Sequence, residues 1–222
     1  MFQEDGLFSR IFGFLGQLIA LNLLWIVFTV PVITAGASTT ALFYCTLKIH
    51  KDGECRPFRD FWKSFRQNFR QATAIWLLLL LAGAVVYFEF KTIPSMPGIL
   101  STVFSYVVYA VCVPFGLVAL YIFPTLAAFQ NKIHKLLLNA FYFSVKNLLY
   151  VIAVALITIL PMFFTLVDAE LFPLYLLIWM LCGFTLTALA DSWFFWKLFR
   201  PYFSQEDTEA AVKDTGTDRY VF

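Results

Sequence analysis

Long parts of this 222-residue chain carry no charge. Asp, Glu, Lys and Arg are missing from residues 11–47, 72–88, 92–131, 147–167 and 171–190. Charged residues make up 14% of the whole, against about a quarter in an ordinary soluble domain. Runs of this length and apolarity suit a hydrocarbon core of ~30 Å, which a helix of ~20 residues crosses. They exclude a water-soluble fold. They also speak against a closed β-barrel, because they are unalternating and rich in Leu and Phe.

Other shortages narrow the function. The charged stretches that remain, roughly 48–71 and 197–222, are too short to bury a core of their own, so a separate catalytic or nucleotide-binding domain is excluded. Cys45, Cys55, Cys112 and Cys182 lie far apart, without the paired spacing of a disulfide framework or a metal site. His50 with Cys55, or His134, supplies too few donors to hold a metal ion. Gly36 and Gly53 belong to no phosphate-cradling loop, and no nucleophile–base pair stands out. No catalytic residue, metal, cofactor or nucleic-acid partner is therefore expected. The start, Met-Phe-Gln-Glu-Asp, has no basic lead-in, so a cleavable signal is not expected either.

What is present concentrates in residues 58–71. Wound at 100° per residue, this stretch sorts Phe58, Phe61, Trp62, Phe65 and Phe69 onto one apolar stripe. Arg59, Lys63, Arg66 and Arg70 form a basic stripe beside it, a candidate face toward anionic lipid or an acidic partner. Asp60, Ser64, Gln67, Asn68 and Gln71 fill the third side. The stretch runs without interruption into the uncharged residues 72–88, as an amphipathic helix feeding a membrane span.

The expectation is an all-α polytopic membrane protein, a single integral domain over 1–200 with a polar, disordered tail over 201–222. Spans fall near 11–30, 72–88, 100–123, 148–164 and 174–196. Residues 32–47, full of small and hydroxyl side chains, either turn at the cytoplasmic face, giving five spans, or cross, giving six. Lys and Arg set the orientation. Residues 48–70 hold seven of them and 132–146 hold three, whereas Lys91 alone marks the other side. The basic loops and the C-terminus are thus expected in the cytoplasm, at an anionic inner leaflet. An internal echo favours five spans: residues 124–129 align with 37–42, Lys135 falls on Lys48, and the pattern Phe141, Ser144, Asn147 resembles Phe61, Ser64, Asn68. Two such copies would be parallel repeats about an axis along the membrane normal.

A few polar residues invite a role. Ser64, Asn68, Ser144 and Asn147 could bridge the two amphipathic elbows, or simply bond between neighbouring helices. Asp191 is the one acid inside an expected span; it lies less than two turns before Lys197, which would give it a basic partner near the cytoplasmic interface. Asn22 and Thr29 in the first span read as packing polars.

The chain resembles the YesL family, bacterial membrane proteins grouped under domain of unknown function 624. The likeness rests on Leu21-Asn22-Leu23-Leu24-Trp25, on Ser38-Thr39-Thr40-Ala41-Leu42-Phe43, on Phe61-Trp62 with Phe65, Asn68 and Phe69, and on Phe123-Pro124. It spans roughly residues 10–200, with Ala37 standing where the family commonly has proline. The resemblance implies a role near carbohydrate uptake systems of the ATP-binding-cassette type, and it carries over no ligand or catalytic residue. The expected function is a non-enzymatic accessory or regulator of such an importer. The alternative is a small transporter or channel in its own right.

Overall fold

The computed structural model describes residues 7–93 and 98–213. It is all-helical across them: α1 (Leu7–Thr29), α2 (Ala35–Asp52), α3 (Pro57–Thr92), α4 (Ile99–Ala128), α5 (Ile133–Lys146), α6 (Leu148–Val167), α7 (Phe172–Ile178) and α8 (Phe184–Lys213). A short 3₁₀ turn, Val32–Thr34, joins α1 to α2, and a widened π turn, Trp179–Gly183, joins α7 to α8. Among the described residues, six helical segments are long and apolar enough to cross a membrane: Arg10–Thr29, Val32–Asp52, Pro57–Thr92, Ile99–Ala128, Leu148–Val167 and Phe172–Phe203. The chain is a multi-pass membrane protein.

The five-span expectation had counted one helix fewer. The additional candidate is α2, the least apolar of the six and the one most enclosed by protein. Its side chains explain both properties. Ala35, Gly36, Ala37, Ser38, Thr40 and Ala41 are all buried, and such small residues let neighbouring helix backbones come close where lipid supplies no hydrophobic drive. α2 packs along α3 and against α1, α4 and α8, so the core lies around it. It ends at Gly53 in the left-handed region (φ 81°), whose N–H bonds back to the Ile49 carbonyl, with His50 and Lys51 complementing the carbonyl end of the helix.

α3 is one unbroken helix of 36 residues, roughly 54 Å long. That exceeds the hydrocarbon thickness, so the amphipathic start of the helix extends beyond the uncharged residues 72–88 that would fill it. Proline opens it at its first position, Pro57, where no N–H is missed. Pro94 and Pro97, which suit a loop between two spans, fall outside the described residues, as do residues 1–6; from Leu7 onward the chain is helical as the start of α1.

The internal echo survives in burial rather than in helix boundaries. Residues 37–42 and 121–129 are both buried almost throughout, and α2 packs against α4. In the first half, however, the helix runs on past Lys48 to Asp52, whereas in the second it stops at Ala128 and Phe129 is extended. The second half also breaks between α5 and α6 at Asn147 (φ −132°, ψ 58°), where α3 passes straight through. At the far end, α8 continues through Pro201 to Lys213, so the first part of the stretch expected to lack structure is helical; Glu, Gln, Ala and Lys there are good helix formers. Residues 214–222 lie outside the described residues.

Candidate functional site

The amphipathic half of α3 divides its aromatics between two environments. Phe61 and Phe65 are buried and meet Phe28 of α1, at ring-centroid separations of 5.8 and 4.9 Å. Phe58, Trp62 and Phe69 are exposed. On the helix wheel these three sit within a 40° arc, and Arg59, Lys63, Arg66 and Arg70, also exposed, occupy a 60° arc that begins about 40° further round. Aromatic rings beside cationic groups match the boundary between acyl chains and headgroups. The acid of this segment, Asp60, does the opposite and turns inward. Its Oδ2 accepts from Lys48 Nζ (2.7 Å), the Arg56 N–H (3.0 Å) and Cys55 Sγ (3.6 Å), which ties the start of α3 to α2. With Asp60 withdrawn, the charged side chains that residues 58–71 expose are Arg59, Lys63, Arg66 and Arg70, with Asp52 and Glu54 lining a pocket beside Arg59 and Lys63 at the start of the helix.

Next to this face, a polar groove of about 610 Å³ lies between α3 and the start of α5. Gln67, Asn68 and Gln71 form one wall, and Asn131, Lys132 and Lys135 stand opposite. Gln71 Nε2 donates to the Asn131 carbonyl at 3.0 Å. This is the hydrogen bond that joins the two halves here. The residues expected to bridge them bond locally instead: Asn68 Nδ2 reaches Ser64 Oγ and its carbonyl, Ser144 Oγ donates to the Phe141 carbonyl, and Asn147 Nδ2 to the Phe143 carbonyl. The reason is reach: each partner lies three or four residues back on the same helix face. On the opposite flank, Lys146 Nζ donates to Tyr202 Oη at 3.0 Å, which raises the lysine's pKa and ties α5 to α8.

Asp191 departs most from expectation. It is 3% exposed, and its Oδ2 accepts from Thr158 Oγ1 of α6 at 3.0 Å. Oδ1 has no partner among the described residues. Lys197 does not serve it: six positions along a helix turn a side chain about 120° off, and Lys197 Nζ instead stands 3.5 Å from the Trp193 ring centroid. The carboxylate lines a cavity of about 410 Å³ walled largely by apolar and aromatic side chains.

A second polar constellation had read as mere packing. Asn22, wholly buried in α1, uses every polar atom of its amide on the widened turn and the first turn of α8. Its Nδ2 donates to the carbonyls of Trp179 and Met180 (both 2.9 Å), and its Oδ1 accepts the Thr185 N–H at 3.1 Å. A π turn displaces backbone groups from the regular ladder, and in the absence of water the side chain satisfies them. Close by, Trp25 Nε1 donates to Thr39 Oγ1 (3.2 Å), and Ser38 Oγ donates to the Trp25 carbonyl (3.0 Å). The signal that could have found this was an Asn inside an uncharged run of 37 residues.

Residues 18–90 match the family model described as "Protein of unknown function, DUF624". The matched third of the chain runs from within α1 to near the end of α3. It therefore contains Asn22, Trp25, Ser38, Thr39, Asp60 and the basic stripe, while Thr158, Asp191 and the α5 side of the groove lie outside it. No curated protein and no solved structure matches the chain.

Proposed function

We propose that this protein is a non-enzymatic accessory or regulator of another complex in the bacterial cell membrane, with its C-terminus in the cytoplasm. One observation carries the reading: Arg59, Lys63, Arg66 and Arg70 face outward beside exposed Phe58, Trp62 and Phe69, while Asp60 is folded away onto Lys48. Such a face settles on an anionic leaflet, each cation adding about 1 kcal/mol near the surface, and holds the adjoining polar groove at the level where a neighbour's cytoplasmic loops lie. The resemblance to the YesL family supplies the identity of that neighbour, a carbohydrate importer of the ATP-binding-cassette type.

The combined variant Arg59→Gln, Lys63→Gln, Arg66→Gln, Arg70→Gln is expected to remain in the membrane. Recovery of importer subunits in mild-detergent affinity capture should fall at least fivefold, and sugar uptake should match that of a deletion strain. Uptake unchanged by deletion, with no subunit captured by the native chain, contradicts the reading. A second reading, a small transporter or channel, draws on the interrupted helix at Trp179–Gly183 and on Asp191 within the bundle. Solute flux through the purified protein in liposomes would decide for it.

A further inference from the structure

We infer that the cavity at Asp191 is an intramembrane binding site for an amphiphilic organic ammonium, a protonated amine carried on an apolar body. The inference is independent of the partner proposed above. It starts from an open valence: Asp191 is 97% enclosed, Thr158 serves Oδ2, and Oδ1 meets no donor or acceptor among the described residues. A buried carboxyl oxygen left bare is unfavourable, and more so when ionised, so a donor arriving there gains what folding left unmade.

The surroundings select the kind of donor. Trp25, Phe43, Trp179 and Phe184 form aromatic walls, with Trp25 and Trp179 rings 4.3 and 4.7 Å from that of Phe184. Aromatic faces attract a cation and accept an apolar body equally well. A metal ion fits poorly, because Asp191 is the sole carboxylate in the lining and no group of three His, Cys, Asp or Glu occurs among the described residues. The volume of about 410 Å³ suits a small organic molecule.

The entrance selects the route. Ile159 and Met162 line the cavity from α6, yet are 60% and 50% exposed on the apolar flank of that helix. A ligand reaching Asp191 past them comes through the acyl-chain region, which requires an amphiphile. The same ammonium chemistry could belong to an aminolipid headgroup or to a free lipophilic amine.

The test is calorimetric titration of 2-phenylethylamine into the full chain in nanodiscs of phosphatidylcholine and phosphatidylglycerol, with protein-free discs subtracted. Saturable one-to-one binding is expected, with 3-phenylpropanol, the uncharged analogue, at least tenfold weaker. Asp191→Asn, nearly the same shape, should weaken amine binding at least tenfold. Ile159→Trp, which narrows the entrance from the lipid side without touching Asp191, should weaken it at least fivefold and covers the case in which Asp191→Asn fails to fold. Gly83→Ala, with nothing within 4 Å of the added methyl, should bind as the native chain does. Adding phosphatidylethanolamine to the discs separates the sources: competition identifies the aminolipid, and its absence the free amine. No saturable heat, equal affinity for the alcohol, or native affinity in both Asp191→Asn and Ile159→Trp overturns the inference.

Discussion

Asn22→Leu is expected to lower the stability of the folded protein by about 2 kcal/mol. The leucine fills nearly the same volume, so packing is conserved and the loss is one of hydrogen bonding. Three bonds disappear, to Trp179, Met180 and Thr185, and all three stranded partners are backbone groups that cannot be deleted with the side chain. Interhelical bonds inside membranes average ~0.6 kcal/mol each, and three of them on one residue sum to the figure given. Stranded peptide groups in a water-free interior push it upward rather than down. Equilibrium unfolding in mixed detergent micelles measures the difference. Leu23→Ala, at the next and exposed position, is the control and should change stability by less than half as much. Equal losses in the two variants would show that the amide does not hold the widened turn.

Gly36→Ala is expected to destabilise by a further route, about 2–3 kcal/mol of overpacking. A methyl placed there would stand 2.6 Å from Trp76 Cβ and 2.7 Å from the Ala72 carbonyl oxygen, with the Phe123 ring at 3.1 Å. The first two obstacles belong to the backbone and the root of a side chain, which rotamer changes cannot move. α2 would have to withdraw from α3 along their longest shared contact. Trp76 Nε1, which donates to the Val32 carbonyl at 2.7 Å, would lose that bond in the process. Gly83→Ala provides the contrast on the same helix pair, since open space surrounds it; it should be neutral or stabilising by up to ~1 kcal/mol through helix propensity. The same unfolding experiment reads both.

These two residues show where the sequence was readable and where it was not. The spans were legible because exclusion of charge from the hydrocarbon core acts on each helix separately, and α3 was legible as continuous because neither Gly nor Pro interrupts residues 58–82. The enclosure of α2 was not, because small residues such as Ala35–Ala41 look alike in a turn and in a crowded helix; which one they form depends on α3, α4 and α8 arriving around them. Asn22 was read as packing because its partners sit more than 150 residues away in a π turn whose residues, Trp-Met-Leu-Cys-Gly, carry no local signature. Asp191 and Lys197 are close in sequence but about 120° apart around the helix, so proximity along the chain does not pair them. The aromatic stripe of α3 was found, but periodicity could not say that Phe61 and Phe65 would face protein while Phe58, Trp62 and Phe69 would not. Phe28 meets Phe61, Trp62 and Phe65 alike, so burial rather than that contact separates them.

The same division gives the basic stripe its meaning, since a face of protein-buried aromatics would have no business at a lipid surface. Docking at the cytoplasmic face requires that this stripe lie on the inner side of the membrane. Arg66→Cys, treated with a membrane-impermeant maleimide and read against the native chain as background, tests it directly. Labelling is predicted in inverted membrane vesicles and none in intact cells, because the proposed orientation puts the stripe at the inner leaflet. Labelling of Arg66→Cys in intact cells would place α3's amphipathic half outside and contradict both the orientation and the docking role built on it.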